Sequence, residues 1–567
     1  MMGQMVSILM LCCMAAARSV TITVNASEVL GPWIPLNRFF GCDEPNFAYY
    51  PRGQELLGEL GAVSKSQTYF RTHNLLTTGN GSSVGVPALK FGSTNAYTED
   101  EAGDPVYNFT IADRIFDAYL AANIKPYVQV GFMPLALAND PEPYFFDFKP
   151  DSSTNVIYTG WSHTPKSYQG WEELVYQWAL HCLVRYGEEE VLSWYWEVWN
   201  EPNIAYWNGT TEQFYMLHDH AITGIKRAIP EARVGGCEVA GGASGTYLGD
   251  FLSHITSGTN FATGKTGTPL DFISFHAKGS PSWVNTTASE GFVRMNVSTQ
   301  LRQIDEAFGI VASFPALKDT PIVLGEYDPD GCAACQTPAY GYRNGLLYPA
   351  YTAASFMRAV ELAQRRSVRL EGALTWAFEY EKTELLPDGD QYFTGFRVLS
   401  TMGIDKPVLN AHRMLGMMSG QQIDAVSSGQ VPLDVVLSNS VRGNQTDIGV
   451  VASMDGDAVS IFVWHYHDDN LEFSNATINL TIQGLPFYGQ ARMIHWRIDD
   501  EHSNAYQRWL EMGCPQVPSS AQHQELVEAG KLAKLEEPRV MDLSDEGLNV
   551  KFSLPIRSLS LIGLEAP

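Results

Sequence analysis

Positive charge is scarce in this sequence. Its 37 Lys and Arg face 63 Asp and Glu, which gives a net charge of −26 and a pI of about 4.8. Such a chain repels nucleic acid and anionic membranes, so neither is expected as a partner. A polyanionic polysaccharide fits only where a local basic pocket overrides the global field. Long apolar runs are also missing. Val6 to Ala17 is too short to span a bilayer. It reads as the core of a secretory signal over residues 1–17, ending in the small residues Ala15, Ala16 and Ala17, although its first residues lack Lys and Arg. A secreted, extracellular protein is expected. Cysteine is rare, with eight in 567 residues. Cys12 and Cys13 would leave with the signal. The other six are an even number, compatible with disulfides. Cys332 and Cys335 form a C-x-x-C in a Gly- and Pro-containing loop, where a structural disulfide is expected rather than a redox helix. No further Cys or His stands at zinc-site spacing, and no cofactor is called for. Repeats and low-complexity tracts are absent.

What the chain does have is a concentrated aromatic and acidic segment, Trp194-Tyr195-Trp196-Glu197-Val198-Trp199-Asn200-Glu201-Pro202-Asn203. An apolar run with strand character stops at Asn-Glu-Pro, because proline cannot donate to a sheet ladder. Asn200 and Glu201 are left at a strand's C-terminal end among indoles. Desolvation there favours the neutral carboxyl and is expected to raise the Glu201 pKa, as a general acid requires. Indole and phenol faces also stack on sugar C–H faces, so the segment points to a glycosidase. Glycoside hydrolysis usually takes two carboxyl groups. Pro321-Ile322-Val323-Leu324-Gly325-Glu326-Tyr327-Asp328 offers the second, again at the end of a short apolar strand. The two glutamates are separated by about three strand–helix units of a ~250-residue barrel. Ends of strands 4 and 7 would put both on one barrel mouth. Glu197, inside the aromatic strand, reads as a polar partner in the barrel interior.

The length calls for two domains. After an alternating stretch from Val20 to Val24, short strands alternate with amphipathic helices from about residue 37. The strand candidates are Arg38–Gly41, Thr68–Thr72, Pro126–Gly131, Ser193–Asn200, Arg233–Gly236, Phe272–His276, Ile322–Glu326 and Ala373–Trp376. Eight strands with intervening helices predict a (β/α)8 TIM barrel over residues 37–420. Beyond it, alternating runs such as Ile448–Met454 and Ala458–Tyr466 predict a C-terminal β-sandwich over residues 421–567. The strand in residues 18–36 has no place in the barrel and is expected to join that sheet. Sequons at Asn25, Asn80, Asn108, Asn208, Asn285, Asn296, Asn444, Asn475 and Asn479 fit a glycoprotein.

The residues Trp196 to Asn203 resemble the acid/base strand of glycoside hydrolase family 39, part of a clan of retaining (β/α)8 glycosidases that includes β-xylosidases and α-L-iduronidases. Further motifs carry the resemblance: Arg71-Thr72-His73, Tyr107-Asn108-Phe109-Thr110 with Asp113, Gly131-Phe132-Met133-Pro134, Phe275-His276 and Lys406-Pro407. The match is mixed. His276-Ala277-Lys278-Gly279 and Glu326-Tyr327-Asp328-Pro329 look more like the iduronidases. Gly131 to Pro134 and Trp376-Ala377-Phe378-Glu379-Tyr380 look more like the xylosidases. The resemblance implies Glu201 as general acid and base, Glu326 as nucleophile and Asn200 as a partner of the sugar 2-OH. His73 and His276 are expected on the pocket floor. Lys278 is expected either to pair with the nucleophile region or to bind a substrate anion. Trp199, Phe132, Trp376 and Phe378 are candidate sugar platforms, each with plain packing as the alternative, and Glu379 is a candidate for binding sugar hydroxyls. The expected substrate is an oligosaccharide or a polysaccharide side chain, with a neutral pentoside favoured over a hexuronide. The rival class is a barrel that binds carbohydrate without cleaving it; the presence of both glutamates and Asn200 argues for the enzyme.

Overall fold

The computed structural model describes residues 18–79, 93–147, 156–158, 160–286, 291–332, 335, 338–378, 392–393, 397–544 and 547–567. The expected signal segment and the candidate Glu379 lie outside the described residues.

The first described strand is β1 (Arg18–Pro32). Eight short strands follow: β2 (Phe39–Cys42), β3 (Thr68–Thr72), β4 (Ile124–Val130), β5 (Tyr195–Val198), β6 (Arg233–Val239), β7 (Phe272–His276), β8 (Ile322–Glu326) and β9 (Leu370–Phe378). They pair in parallel and close on themselves, β9 returning to β2. A helix follows each: α1 (Pro51–Gly61), α2 (Thr110–Ala121), α3 (Tyr168–Tyr186), α4 (Thr211–Ala228), α5 (Tyr247–Ser257), α6 (Val297–Ala312), α7 (Leu347–Arg366) and α8 (Pro407–Gly416). The helix starts are written locally. Ser167 caps α3, and Thr210 with Gln213 forms a reciprocal capping box on α4. This is the (β/α)8 barrel the strand–helix alternation predicts.

Residues two apart on a strand face the same way, and that rule stacks the barrel interior in layers. Its lowest layer is a plug of Phe39, Tyr69, Tyr127, Tyr195, Phe272, Val323 and Leu374. Two positions further along the strands come Arg71, Gln129, Glu197, Ser274, Gly325 and Trp376, which are polar, glycine or indole. Two positions further again, His73 and His276 reach the mouth. Apolar bulk closes the bottom of the barrel, and charge accumulates toward the end where the strands' C-termini open.

The remaining strands, β10 (Gln421–Ser427), β11 (Asp447–Asp455), β12 (Ala458–Tyr466), β13 (Ala476–Gln483), β14 (Gln490–Ile498), β15 (Ala533–Lys534), β16 (Arg539–Asp542), β17 (Leu548–Leu554) and β18 (Leu559–Glu565), form one ten-stranded sheet with β1. The strands are hydrogen-bonded along one path, and alternate residues from strands far apart on it share a single core that includes Val20, Ile22, Ile448, Ile461, Ile478, Val550 and Ile562. β1 lies inside the sheet, antiparallel to β10 and parallel to β13. Helices at Leu433–Asn439, Ala505–Glu511 and Ser520–Gly530 interrupt what the sequence presents as pure β structure. The sheet is fastened to the barrel by buried charge: Arg358 on α7 pairs with Asp447 at 3.0 Å, and Asp447 also accepts from the Trp464 indole. No helix among the described residues is long and apolar enough to cross a membrane.

Cys332 and Cys335 are joined by a disulfide in the loop after β8. Cys182 and Cys237 are buried thiols, so the even cysteine count does not translate into full pairing.

Candidate active site

β5 ends at Val198, two residues earlier than the aromatic run suggests. Trp199 (φ 72°) and Glu201 (φ 44°) take left-handed backbone, which bulky residues rarely adopt. The chain is held in this turn from both sides: Trp199 N–H donates to the Val130 carbonyl and Glu201 N–H to the Glu238 carbonyl, each at 3.0 Å. The result aims the Glu201 carboxyl across the mouth at the end of β8. One ligand oxygen of Glu201, one of Glu326 and a His276 nitrogen all lie within 4.8 Å of one another.

Between the two carboxyls sits Lys278. Its Nζ is 2.5 Å from Glu326 Oε2 and 3.8 Å from Glu201 Oε1. His276 donates from Nδ1 to Glu201 Oε1 at 2.9 Å and lies 3.8 Å from Glu326 Oε1. His73 is bracketed by Asp43 at 2.7 Å and by the Arg71 guanidinium at 3.0 Å, with Glu326 Oε1 at 3.5 Å. Asn200 Oδ1 accepts from Arg71 Nη2 at 3.0 Å. That contact spends the amide oxygen, so Nδ2 is the atom Asn200 can offer to a ligand. Glu201, Glu326, Asn200, His73, His276 and Lys278, singled out in the sequence, therefore meet at one place.

The electrostatics correct one expectation. Burial does push the Glu201 carboxyl up, but the Lys278 ammonium and the His276 ring outweigh it, and the group is lowered from its ordinary value rather than raised. Glu326 is held well below the ordinary range: burial opposes this, and Lys278, His276 and His73 overcome it. Lys278 is raised in return, since Glu326 and Glu201 outweigh its burial. His276 is pushed up to about 9; burial favours its neutral form, but the carboxylates of Glu326 and Glu238 prevail. Below the floor, burial and the neighbouring Glu238 raise Glu197 well above the ordinary range against the pull of Arg71. It is bonded to Arg71 at 2.6 Å, Tyr127 at 2.7 Å and Ser274 at 2.8 Å. This is the interior polar partner that its place in the aromatic strand suggests.

The aromatic platforms divide. Trp199 is fully buried, wedged against Phe132, Trp171 and Trp207, with its Nε1 donating to the Tyr206 carbonyl. Phe378 packs on Phe47 and Phe70. For these two the structure corrects the platform expectation to packing. Trp376 and Phe132 are also buried, but both rings lie against His73, with centroids 5.0 and 5.9 Å away, so they border the site.

Three site residues are not picked out by sequence reasoning. Arg71 belongs to a motif noted there, and its inward position follows from the two-residue period shared with Tyr69 and His73. Asp43 lies just past β2, and its inward position follows from the same period through Phe39 and Gly41. Glu238 is hidden for a physical reason. A Cβ on Gly236 would face His218 and Phe251 on the outer helices, so strict alternation turns Glu238 outward as well. A left-handed residue at Glu238 (φ 53°) and a register shift between Cys237 and Val239 turn it inward instead. Its carboxylate occupies the space that Gly325 leaves empty, since a Cβ there would lie 2.0 Å from both Glu238 oxygens.

Glu201, His276 and Glu326 also form the set of possible metal ligands among the described residues. The Lys278 ammonium already stands on Glu326, and both nitrogens of His276 face carboxylates. The donor set is engaged as an ion-pair network.

The sequence profile of glycosyl hydrolases family 39 matches residues 88–546. The chain belongs to that family. Among curated relatives, a β-xylosidase of Caldicellulosiruptor saccharolyticus is 25% identical over 432 residues, covering 76% of this chain and 77% of that protein. An α-L-iduronidase of Mus musculus is 27% identical over 454 residues, covering 74% of this chain and 62% of the relative. Among solved structures, the family 39 enzyme of Xanthomonas axonopodis pv. citri superposes with a TM-score of 0.73 at 21% identity, covering 97% of this chain and 98% of that one. This family 39 protein is a glycoside hydrolase acting on carbohydrate, with a closed eight-stranded barrel and a separate mixed sheet.

Proposed function

We propose that this protein is a secreted, retaining exo-glycosidase that removes a neutral pentosyl unit, a β-xyloside or a related pentoside, from a plant-type glycan. The observation that carries the reading is the approach of the Glu201 and Glu326 carboxyl oxygens to within 4.8 Å. That spacing suits a nucleophile and an acid working on one bond, and falls on the retaining side of the two ranges, about 5–5.5 Å against about 6.5–9.5 Å for inversion. Glu326, held ionised by Lys278 and His276, attacks the anomeric carbon. Glu201 protonates the departing oxygen, then takes a proton from the water that cleaves the glycosyl-enzyme. Asn200, oriented by Arg71, donates from Nδ2 to the 2-OH.

The choice of a neutral sugar is supported by the overall net charge and by Lys278, which is taken up by Glu326 at 2.5 Å. An α-L-hexuronidase is the second reading. Its support is that Lys278, a cation at the mouth, keeps 17% of its side chain exposed and could turn to a substrate carboxylate. Proton NMR of p-nitrophenyl β-xyloside hydrolysis is expected to show β-xylose as the first-formed anomer, and the xyloside to be cleaved faster than p-nitrophenyl α-iduronide. First-formed α-xylose would end the retaining assignment; a preference for the iduronide would replace the pentosidase with the second reading.

Export rests on the Val6 to Ala17 run and on sequons, of which Asn108, Asn208, Asn285, Asn444 and Asn475 are exposed. Protein recovered from the medium is expected to begin near Arg18; a retained Met1 would refute cleavage.

A further inference from the structure

Glu238 has no part in the steps above, yet it is fully buried at their centre. Its carboxylate forms an ion pair with His276 Nε2 and lies 3.8 Å from Arg71 Nη2. Its carbonyl receives the Glu201 N–H. The opposite nitrogen of His276, Nδ1, reaches Glu201 Oε1 at 2.9 Å. The three side chains thus form a line of carboxylate, imidazole and carboxylate. A neutral ring has one N–H and can donate to only one of its two neighbours; a ring carrying both protons satisfies both. We propose that Glu238 is a positioning residue that keeps His276 doubly protonated, and that His276 thereby stores the proton that Glu201 delivers to the leaving group. The proposal rests on the assignment of Glu201 as the acid.

The surroundings bear on this from every side. His276 faces Glu201 after β5, Glu238 on β6 and Glu326 on β8. Lys278 lies two residues past the end of β7, and the positive charges of Lys278 and Arg71 stand behind those carboxylates. Burial favours a neutral ring, and the carboxylates overcome it and push His276 up to about 9. Glu326 is committed to Lys278 and to the sugar, so Glu238 is the carboxylate free to serve the ring throughout the cycle. Glu238 stays ionised at about 2, because Arg71 and His276 outweigh its burial. The arrangement also resolves a conflict in the site. Beside Lys278, the Glu201 carboxyl is lowered from its ordinary value; with His276, pushed up to about 9, the pair holds one proton between them, as coupled groups do.

The proton balance closes. The His276 Nδ1–H bond breaks as the Glu201 Oε1–H bond forms, giving a neutral ring and a carboxylic acid. The acid proton passes to the glycosidic oxygen as the C–O bond breaks. In the second half-reaction Glu201 takes a proton from the attacking water and returns it to Nδ1. The proton on Nε2 remains beside Glu238 throughout.

The test compares Glu238→Gln, Glu238→Asp and wild type on two substrates. Phenyl β-xyloside needs its leaving group protonated; 2,4-dinitrophenyl β-xyloside does not. For the phenyl substrate, Glu238→Gln is expected to move the alkaline limb of kcat/KM down by about one pH unit or more, since that limb reports the proton-holding group of the free enzyme. Glu238→Asp keeps the charge and is expected to restore most of the limb. The dinitrophenyl profile should not move. A uniform loss on both substrates with unshifted limbs means a purely structural residue and overturns the proposal. Should Glu238→Gln fail to fold, 15N NMR of the wild-type histidines decides: the His276 ring is expected to keep both protons past pH 8, and a ring titrating near 6.5 overturns the proposal. Wild-type behaviour of Glu201→Ala would remove the acid assignment on which the proposal rests, and is read separately from this titration.

Discussion

Glu326→Ala is expected to lower kcat by about 10⁴-fold or more, since the variant lacks the group that forms the covalent intermediate. Azide should restore turnover, and the product should be the glycosyl azide of inverted configuration, because a small anion entering the vacated space attacks the face the carboxylate would have used. The site predicts a second signature. Lys278 stands 2.5 Å from Glu326 and 3.8 Å from Glu201, so the alanine variant leaves it beside Glu201 alone. The Glu201 carboxyl keeps its cation and loses its anionic neighbour, and the alkaline limb of the azide-rescued reaction should fall to lower pH. Retention of more than about a tenth of wild-type kcat on aryl xylosides, with no response to azide, would place the nucleophile elsewhere.

The second large effect separates the roles of the two glutamates. Glu201→Ala should cost about 10²–10⁴-fold on phenyl xyloside, the usual yield of a positioned general acid. Dinitrophenyl xyloside should lose far less in the first half-reaction and accumulate glycosyl-enzyme, since water then has no base to activate it. The checks are a Brønsted plot of log kcat/KM against leaving-group pKa, expected to be steep for the variant and shallow for wild type, and a pre-steady-state burst. Parallel plots for the two proteins would show that Glu201 does not protonate the leaving group.

The parts of this architecture legible in the sequence are those set by local rules. The apolar runs ending at Glu326 and His276 coincide with β8 and β7 to the residue, because a strand buried on both faces announces itself by continuous hydrophobicity. Glu197 could be placed in the interior from its neighbours alone. The single ten-stranded sheet could not, since alternation within each strand says nothing about which strands join. The sign of the Glu201 shift was out of reach for a related reason. The indoles around Glu201 are contiguous with it in sequence, whereas Lys278 and His276, which outweigh its burial, arrive from two strand–helix units away. Glu238 was concealed by a backbone that breaks the very periodicity used to read strands. Long-range charge and irregular backbone decide this site, and neither leaves a local trace.

The interior place of β1 has a consequence for how the protein is made. Thr21 bonds to Ser428, 407 positions further along the chain. At roughly 5–20 residues per second of synthesis, the first strand waits about 20–80 s for its neighbours to leave the ribosome. Through that interval Val20, Ile22 and Val24 have no core to enter and both strand edges are open, while the barrel between them is assembled. The nascent chain carries this sticky ribbon until the strands on either side of it have been made.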